Sequence, residues 1–206
     1  MDVQSELCHG FPYQRQYCEE NIYWLCVEKI RREPEEAARF MVLVVSNDEE
    51  KVVFAKQRNA NNAGLIVCWD YHVILLQMPL RDRPARVFDF ETTLGFPCDA
   101  SEYFDETFLL RHGMVGGYTD RTDIRPLFRV IPAQDYVASF SSNRIHMYDK
   151  RTGLAIAPIP PWNAIRGAMA PSPHELPFFK SMKDSHVSQL SRVLPLGDMR
   201  HFFRQS

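Results

Sequence analysis

The chain has 206 residues, 45% of them hydrophobic, and its 24 basic and 26 acidic side chains leave a formal net charge of −2. That length supports one domain with a substantial core, and charges spread without a basic stripe exclude the electrostatic footprint of a nucleic-acid or anionic-membrane binder. No apolar run approaches the ~20 residues of a membrane span, residues 1–16 are too polar for a secretory core, and five irregularly spaced cysteines form no disulfide framework. The chain therefore reads as a single unsecreted domain over 1–206, with a polar leader at 1–16, reduced thiols, and no metal site signalled by C-x-x-C or H-x-x-x-H spacing.

After the leader, Ile22, Leu25, Cys26 and Ile30 recur at helical spacing, with Glu19 and Glu20 in the first turn and Lys29, Arg31 and Arg32 in the last. The pattern predicts a helix with Cys18 at its start, where unpaired N–H groups lower a thiol pKa from ~8.5 toward neutrality. The run from Phe40 to Val45 predicts a buried strand, Ser46 to Glu50 a turn, and Lys51 to Lys56 a partner strand closing a hairpin. A loop from Arg58 to Gly64 leads into Leu65 to Cys68, which continues through Trp69-Asp70-Tyr71-His72 and Val73-Ile74-Leu75-Leu76 as buried strand. His72 on such a strand is either a core histidine bonded to a carbonyl or a positioned general base, and its partners decide which.

A turn bracketed by Pro79 and Pro84 precedes Arg86 to Glu91, whose period-2 alternation predicts an antiparallel return strand. Centring the connection between Leu80 and Arg81 puts Asp89 opposite His72; centring it one residue later puts Glu91 there. Both carboxylates share one strand face, the face of His72, so either register offers the imidazole an acceptor. Acidic side chains turned to water on a half-buried strand are the alternative.

Asp99 to Leu110 is weakly helical, Arg111 to Asp123 reads as a loop, Leu127 to Ile131 as a strand, and Pro132 to Phe140 as a short helix. From Leu154 the chain is proline-rich and reads as irregular structure packed on the domain through Trp162, Phe178 and Phe179, with one or two short helices between Ser188 and Phe203. Helix, sheet and helix in this order suggest an α/β sandwich with a thiol at a helix start and two partners on adjacent strands, in chain order Cys, His, Asp.

The blocks Tyr17-Cys18-Glu19-Glu20-Asn21, Trp69-Asp70-Tyr71-His72-Val73, Phe88-Asp89-Phe90-Glu91-Thr92 with Leu94-Gly95-Phe96-Pro97-Cys98, Phe128-Arg129-Val130 and Asn143-Arg144-Ile145-His146-Met147 together resemble the protein N-terminal glutamine amidohydrolases. The resemblance runs in order from about Tyr17 to Trp162. It implies an α-β-α sandwich around a largely antiparallel sheet, related to transglutaminases and papain-like thiol hydrolases. It also implies a monomeric cytoplasmic and nuclear enzyme that deamidates an N-terminal Gln to Glu in the N-degron route. The family's Cys, His and Asp fall on Cys18, His72 and Asp89. This chain departs from the family at Glu91, where a second Asp is usual, at Asn143, commonly Asp, and in a shorter proline run at Pro158-Ile159-Pro160-Pro161.

The residues suit that chemistry without a cofactor. His72 takes the thiol proton or holds a thiolate, Cys18 attacks the side-chain amide, Asp89 fixes the ring tautomer, and ammonia leaves before water hydrolyses a thioester. Protein or peptide substrates bearing N-terminal Gln need an acceptor for the α-ammonium group, for which Glu19, Glu20 and Asp70 are candidates. Trp69 and Tyr71 are expected in the core on the opposite strand face, and His146 at the cleft or in a structural hydrogen bond. A thiol peptidase, an acyl transferase and a catalytically inactive binding module share enough of the pattern to stand as rivals.

Overall fold

The computed structural model describes residues 7–58, 66–108, 122–183 and 191–204. In chain order, a ribbon of β1 (Leu7–Cys8) and β2 (Phe11–Pro12) precedes α1 (Cys18–Arg32), a 3-10 turn at Pro34–Arg39 and β3 (Phe40–Ser46). Next come β4 (Val52–Ala55), β5 (Ile66–Trp69), β6 (His72–Gln77), β7 (Arg86–Phe88), β8 (Cys98–Asp99) and α2 (Ala100–Thr107). The chain continues through β9 (Leu127–Pro132), α3 (Ala133–Ser139), α4 (Leu176–Lys180), β10 (Arg192–Pro195) and α5 (Leu196–Phe202).

Six strands form one sheet in the order β10-β9-β3-β6-β7-β8, every neighbouring pair antiparallel. β3 lies inside the sheet, and its unbroken apolar sequence follows from having both faces covered. Val42 and Val44 pack with Val73, Leu75 and Ile131 toward α1, α3 and α4, while Leu43 and Val45 pack with Ile74, Leu76 and Val130 toward β4, α2 and α5. The predicted layering of helices on both sides of a largely antiparallel sheet is therefore present. α1 buries Ile22, Leu25 and Cys26, the predicted stripe.

Five expectations need correction. Val52–Ala55 does not close a hairpin on β3; it pairs with Ile66–Trp69 in a separate two-stranded ribbon. The strand expected to run unbroken through Leu76 is interrupted at Asp70 and Tyr71, because β5 belongs to that ribbon and β6 to the main sheet. The return strand pairs only over Arg86–Phe88, with Leu75 opposite Phe88, the later of the two registers considered. The tail holds a strand as well as a helix: β10 pairs with β9 at the sheet edge, and α5 follows. The expected loops at 58–64 and 111–123 lie largely outside the described residues, and the chain read as irregular after Leu154 contains α4.

Arg129 explains how the C-terminal part is held. Its side chain is wholly buried on β9, and its guanidinium donates to the carbonyls of Ser181 and Lys183 and to Ser191 Oγ. A buried guanidinium requires acceptors, and three of these come from the chain that returns to the sheet edge.

Candidate active site

The start of α1 is set by Asn21, whose side-chain amide accepts from Gln14 N–H at 2.8 Å and donates to Gln14 O at 2.9 Å. Tyr17, at the N-cap position, is buried and gives the helix no side-chain cap, so the N–H groups of the first turn stay open beside Cys18. Gln16, just ahead, takes a left-handed φ of 68°, a region that non-glycine residues adopt uncommonly.

Cys18 and His72 both line a cleft of about 600 Å³. His72 opens β6 and is buried; its Nε2–H donates to Asp89 Oδ1 at 2.8 Å. That leaves Nδ1 as the ring nitrogen free to handle a proton from the cleft. The ring is wedged between Trp69, with centroids 4.6 Å apart, and the edge of Phe54 at 5.5 Å, so its orientation is fixed by packing as well as by Asp89.

Asp89 lies one residue past the paired part of β7 and is saturated with donors. Oδ1 also accepts from Glu91 N–H at 2.9 Å, and Oδ2 accepts from Tyr103 OH at 2.8 Å and Gln57 Nε2 at 3.2 Å. Burial pushes its pKa up, but the His72 charge and N–H, the Glu91 N–H and the Tyr103 hydroxyl outweigh that and hold the carboxyl below its usual value. Asp89 is thus a fixed acceptor. Gln57 and Tyr103 are partners that no local sequence pattern indicates.

Cys18 departs from expectation. Burial raises its thiol pKa well above the usual cysteine value and the Glu19 carboxylate adds to this, while an N–H bond from Val73 only partly opposes them. The helix start therefore does not lower the thiol pKa as expected, because burial and Glu19 outweigh it.

The three carboxylates proposed near the substrate have different surroundings. Glu20 is buried in a bidentate pair with Arg144, at 2.8 Å to each oxygen, and also accepts from Trp162 Nε1 at 2.6 Å. Asp70 sits in the break between β5 and β6, about half exposed, and meets Lys180 at 2.9 Å. Glu19 is wholly buried beneath Cys18, accepting from the thiol at 3.6 Å and from Tyr71 OH at 3.0 Å. Trp69 and Tyr71, expected in the core, both line the cleft, because the strand break frees them from simple face alternation.

His146 also lines the cleft, on a 3-10 turn at Ile145–Met147. Arg144 precedes it with a left-handed φ of 62°, a strained backbone held by the Glu20 ion pair. Among the described residues no group of three His, Cys, Asp or Glu side chains is placed to hold a metal ion, and no helix is long and apolar enough to cross a membrane.

A cleft with a thiol, an imidazole bonded to a carboxylate on its far side, and open helix-start N–H groups can carry nucleophilic acyl chemistry. Comparison with known proteins narrows the class. The family model described as N-terminal glutamine amidase matches residues 13–203, well beyond the span from Tyr17 to Trp162. The protein N-terminal glutamine amidohydrolase of Drosophila willistoni is 40% identical over 131 residues, covering 64% of this chain and 60% of the relative. That of Drosophila melanogaster is 39% identical over 131 residues with the same coverage. The chain thus spans 60% of the length of the curated relatives it matches. With the match covering both sides of the sheet and every residue of the cleft named above, the chain belongs to the N-terminal glutamine amidase family.

Proposed function

We propose that this chain hydrolyses the side-chain amide of an N-terminal glutamine in proteins or peptides, giving glutamate and ammonia, with Cys18 as nucleophile, His72 as general base and acid, and Asp89 as the group that orients His72. The observation that carries this reading is the placement of Cys18 on the same cleft as a His72 ring whose Nε2 is committed to Asp89, in a chain of this family.

In this reading His72 Nδ1 takes the Cys18 thiol proton as the sulfur bonds to the glutamine Cδ, so no charged nucleophile has to exist beforehand. The carbonyl π pair moves to oxygen, where open N–H groups at the start of α1 meet it, each such donor contributing roughly 3 kcal/mol to the transition state. Collapse of the adduct reforms C=O and breaks the C–N bond while His72 returns its proton to nitrogen, and ammonia leaves. Water then gives a proton to His72 as its oxygen attacks the thioester, and the thiolate recovers that proton when the glutamate product is released. Every step moves protons among Cys18, His72, substrate and water, so the scheme uses no cofactor.

The order Cys, His, Asp, with the thiol on a helix and its partners on the sheet, supports grouping the fold with transglutaminase-like and papain-like thiol hydrolases. Turning a neutral terminal residue into an acidic one is the step that prepares a protein for arginylation in the N-degron route, and we place the reaction there. The test is ammonia release from a Gln-initiated peptide by wild type and Cys18→Ala. Release by the wild type alone supports the reading, and undiminished release by Cys18→Ala refutes the nucleophile.

A further inference from the structure

We propose that Glu19 is the acceptor of the substrate's α-ammonium group, with Oε1 as its open seat beneath His146. The inference rests on the reading of the chain as an N-terminal glutamine amidase, and it names the group that tells a chain terminus from an internal glutamine.

Of the nearby carboxylates, Asp70, Glu50 and Glu91 line the cleft and Glu20 lies buried behind it, and all four are engaged. Glu20 is filled by Arg144 and Trp162, Asp70 and Glu50 both face Lys180, and Glu91 accepts from Tyr13 OH. Glu19 is different: its side chain is 0% exposed, Oε2 receives Tyr71 and the Cys18 thiol, and Oε1 has no hydrogen-bond partner. A buried carboxylate oxygen without a donor is costly, and in native sites it signals a ligand to come.

The group over that oxygen is itself unsettled. His146 Nε2 stands 3.4 Å from Oε1, within charge-pairing distance but outside hydrogen-bonding geometry, and neither ring nitrogen of His146 has a hydrogen-bond partner. The ring lines the cleft and stacks on His174 with centroids 5.7 Å apart, so a stack rather than a hydrogen bond holds it. An arriving ammonium brings three donors to the oxygen that lacks one.

Distance fits as well. In glutamine only Cα, Cβ and Cγ separate the α-nitrogen from the Cδ that Cys18 attacks, and the Glu19 carboxylate lies beside Cys18, its Oε2 at 3.6 Å from the sulfur. One terminal residue can therefore span both groups, amide on sulfur and ammonium on carboxylate. An internal or acetylated glutamine would set a neutral amide against a buried carboxylate. The ammonium would also neutralise the charge that helps keep the thiol protonated, so recognition of the terminus and release of the thiol proton become one event.

The experiment measures ammonia release from three peptides of one sequence: with a free terminal Gln, with its α-amine replaced by hydrogen, and N-acetylated. Wild type is expected to favour the free amine over the desamino peptide in kcat/KM by on the order of 100-fold, the range of a charge-assisted bond. Glu19→Gln is expected to bring that ratio within about threefold of unity, whereas a carboxylate that only supports the fold or the thiol would lower both rates together and leave the ratio intact. His146→Lys, which carries its own ammonium to Oε1, is expected to erase the preference with Glu19 in place, and it decides the matter if Glu19→Gln does not fold. A wild-type ratio in either folded variant overturns the Glu19 assignment alone. Wild type that releases no ammonia from any of the peptides overturns both this assignment and the proposed activity.

Discussion

His72 and Asp89 meet through Nε2 and Oδ1 at 2.8 Å even though Asp89 lies beyond the last paired residue of its strand. Strand pairing does not hold the carboxylate there; Gln57, Tyr103 and the Glu91 N–H do. Asp89→Asn should therefore fold, yet lower kcat by roughly 10⁴, because an amide can present its own N–H and release the required tautomer. Tyr103→Phe removes one of four donors and should cost about 1–3 kcal/mol of stability with a much smaller loss of kcat. Steady-state kinetics and urea unfolding of the two variants separate orientation of the ring from stability.

The raised thiol pKa of Cys18 predicts how its reactivity depends on pH. With burial and Glu19 holding the thiol pKa well above its usual value, iodoacetamide alkylation of Cys18 in the free enzyme should rise continuously above pH 8 without a plateau near neutrality. Mass spectrometry of the Cys18 peptide across pH 6–10 reads this directly. A plateau below pH 7 would mark a standing thiolate and reverse the order of proton transfer given above.

Asp89 also predicts an acid limb of stability. Its folded-state pKa is held below the ordinary carboxylate value of about 3.9, so the folded state binds fewer protons than the unfolded state in that range. The stabilisation is fully present above the unfolded pKa and is lost as pH falls through the lower folded one. The difference in unfolding free energy between wild type and Asp89→Asn should therefore be largest at pH 5–7 and shrink below about pH 4. A difference that grows on acidification would contradict the ionised assignment.

Arg144 carries a strained backbone and a buried ion pair two residues from His146. Arg144→Met leaves Glu20 buried without its counter-charge and should destabilise the fold by about 3–5 kcal/mol, whereas changing Glu20 and Arg144 together to apolar residues should restore much of that. Thermal unfolding of the two single variants and the double variant tests the coupling.

Arg129 should behave as a clamp on the C-terminal part. Replacement by Met removes its bonds to Ser181, Lys183 and Ser191, each charged hydrogen bond contributing about 1.5–3 kcal/mol, and should expose the segment after Lys180 to limited proteolysis before global unfolding.

Much of the frame was legible because it depends on local pattern. The helical stripe of Ile22, Leu25 and Cys26 and the doubly covered strand from Phe40 follow from periodicity, whereas His72 meets Asp89 although Asp89 lies past the end of its strand. The break at Asp70 and Tyr71 was hidden inside an apolar run, because ribbon and sheet compete for the same kind of residue. β10 is short and ends in Pro195, so only its pairing with β9 identifies it. Gln57 and Tyr103 reach Asp89 across 32 and 14 residues, a relation set by tertiary packing alone. The sign of the Cys18 shift failed for a similar reason: a helix start is visible in a sequence, whereas the burial that outweighs it is not.

Ammonia release from a peptide beginning with Gln, measured beside the same peptide acetylated at its terminus and one carrying Gln internally, with wild type and Cys18→Ala, tests terminal-glutamine hydrolysis at Cys18. Release is expected from the first peptide by wild type only. Equal release from all three peptides, or full activity in Cys18→Ala, would contradict it.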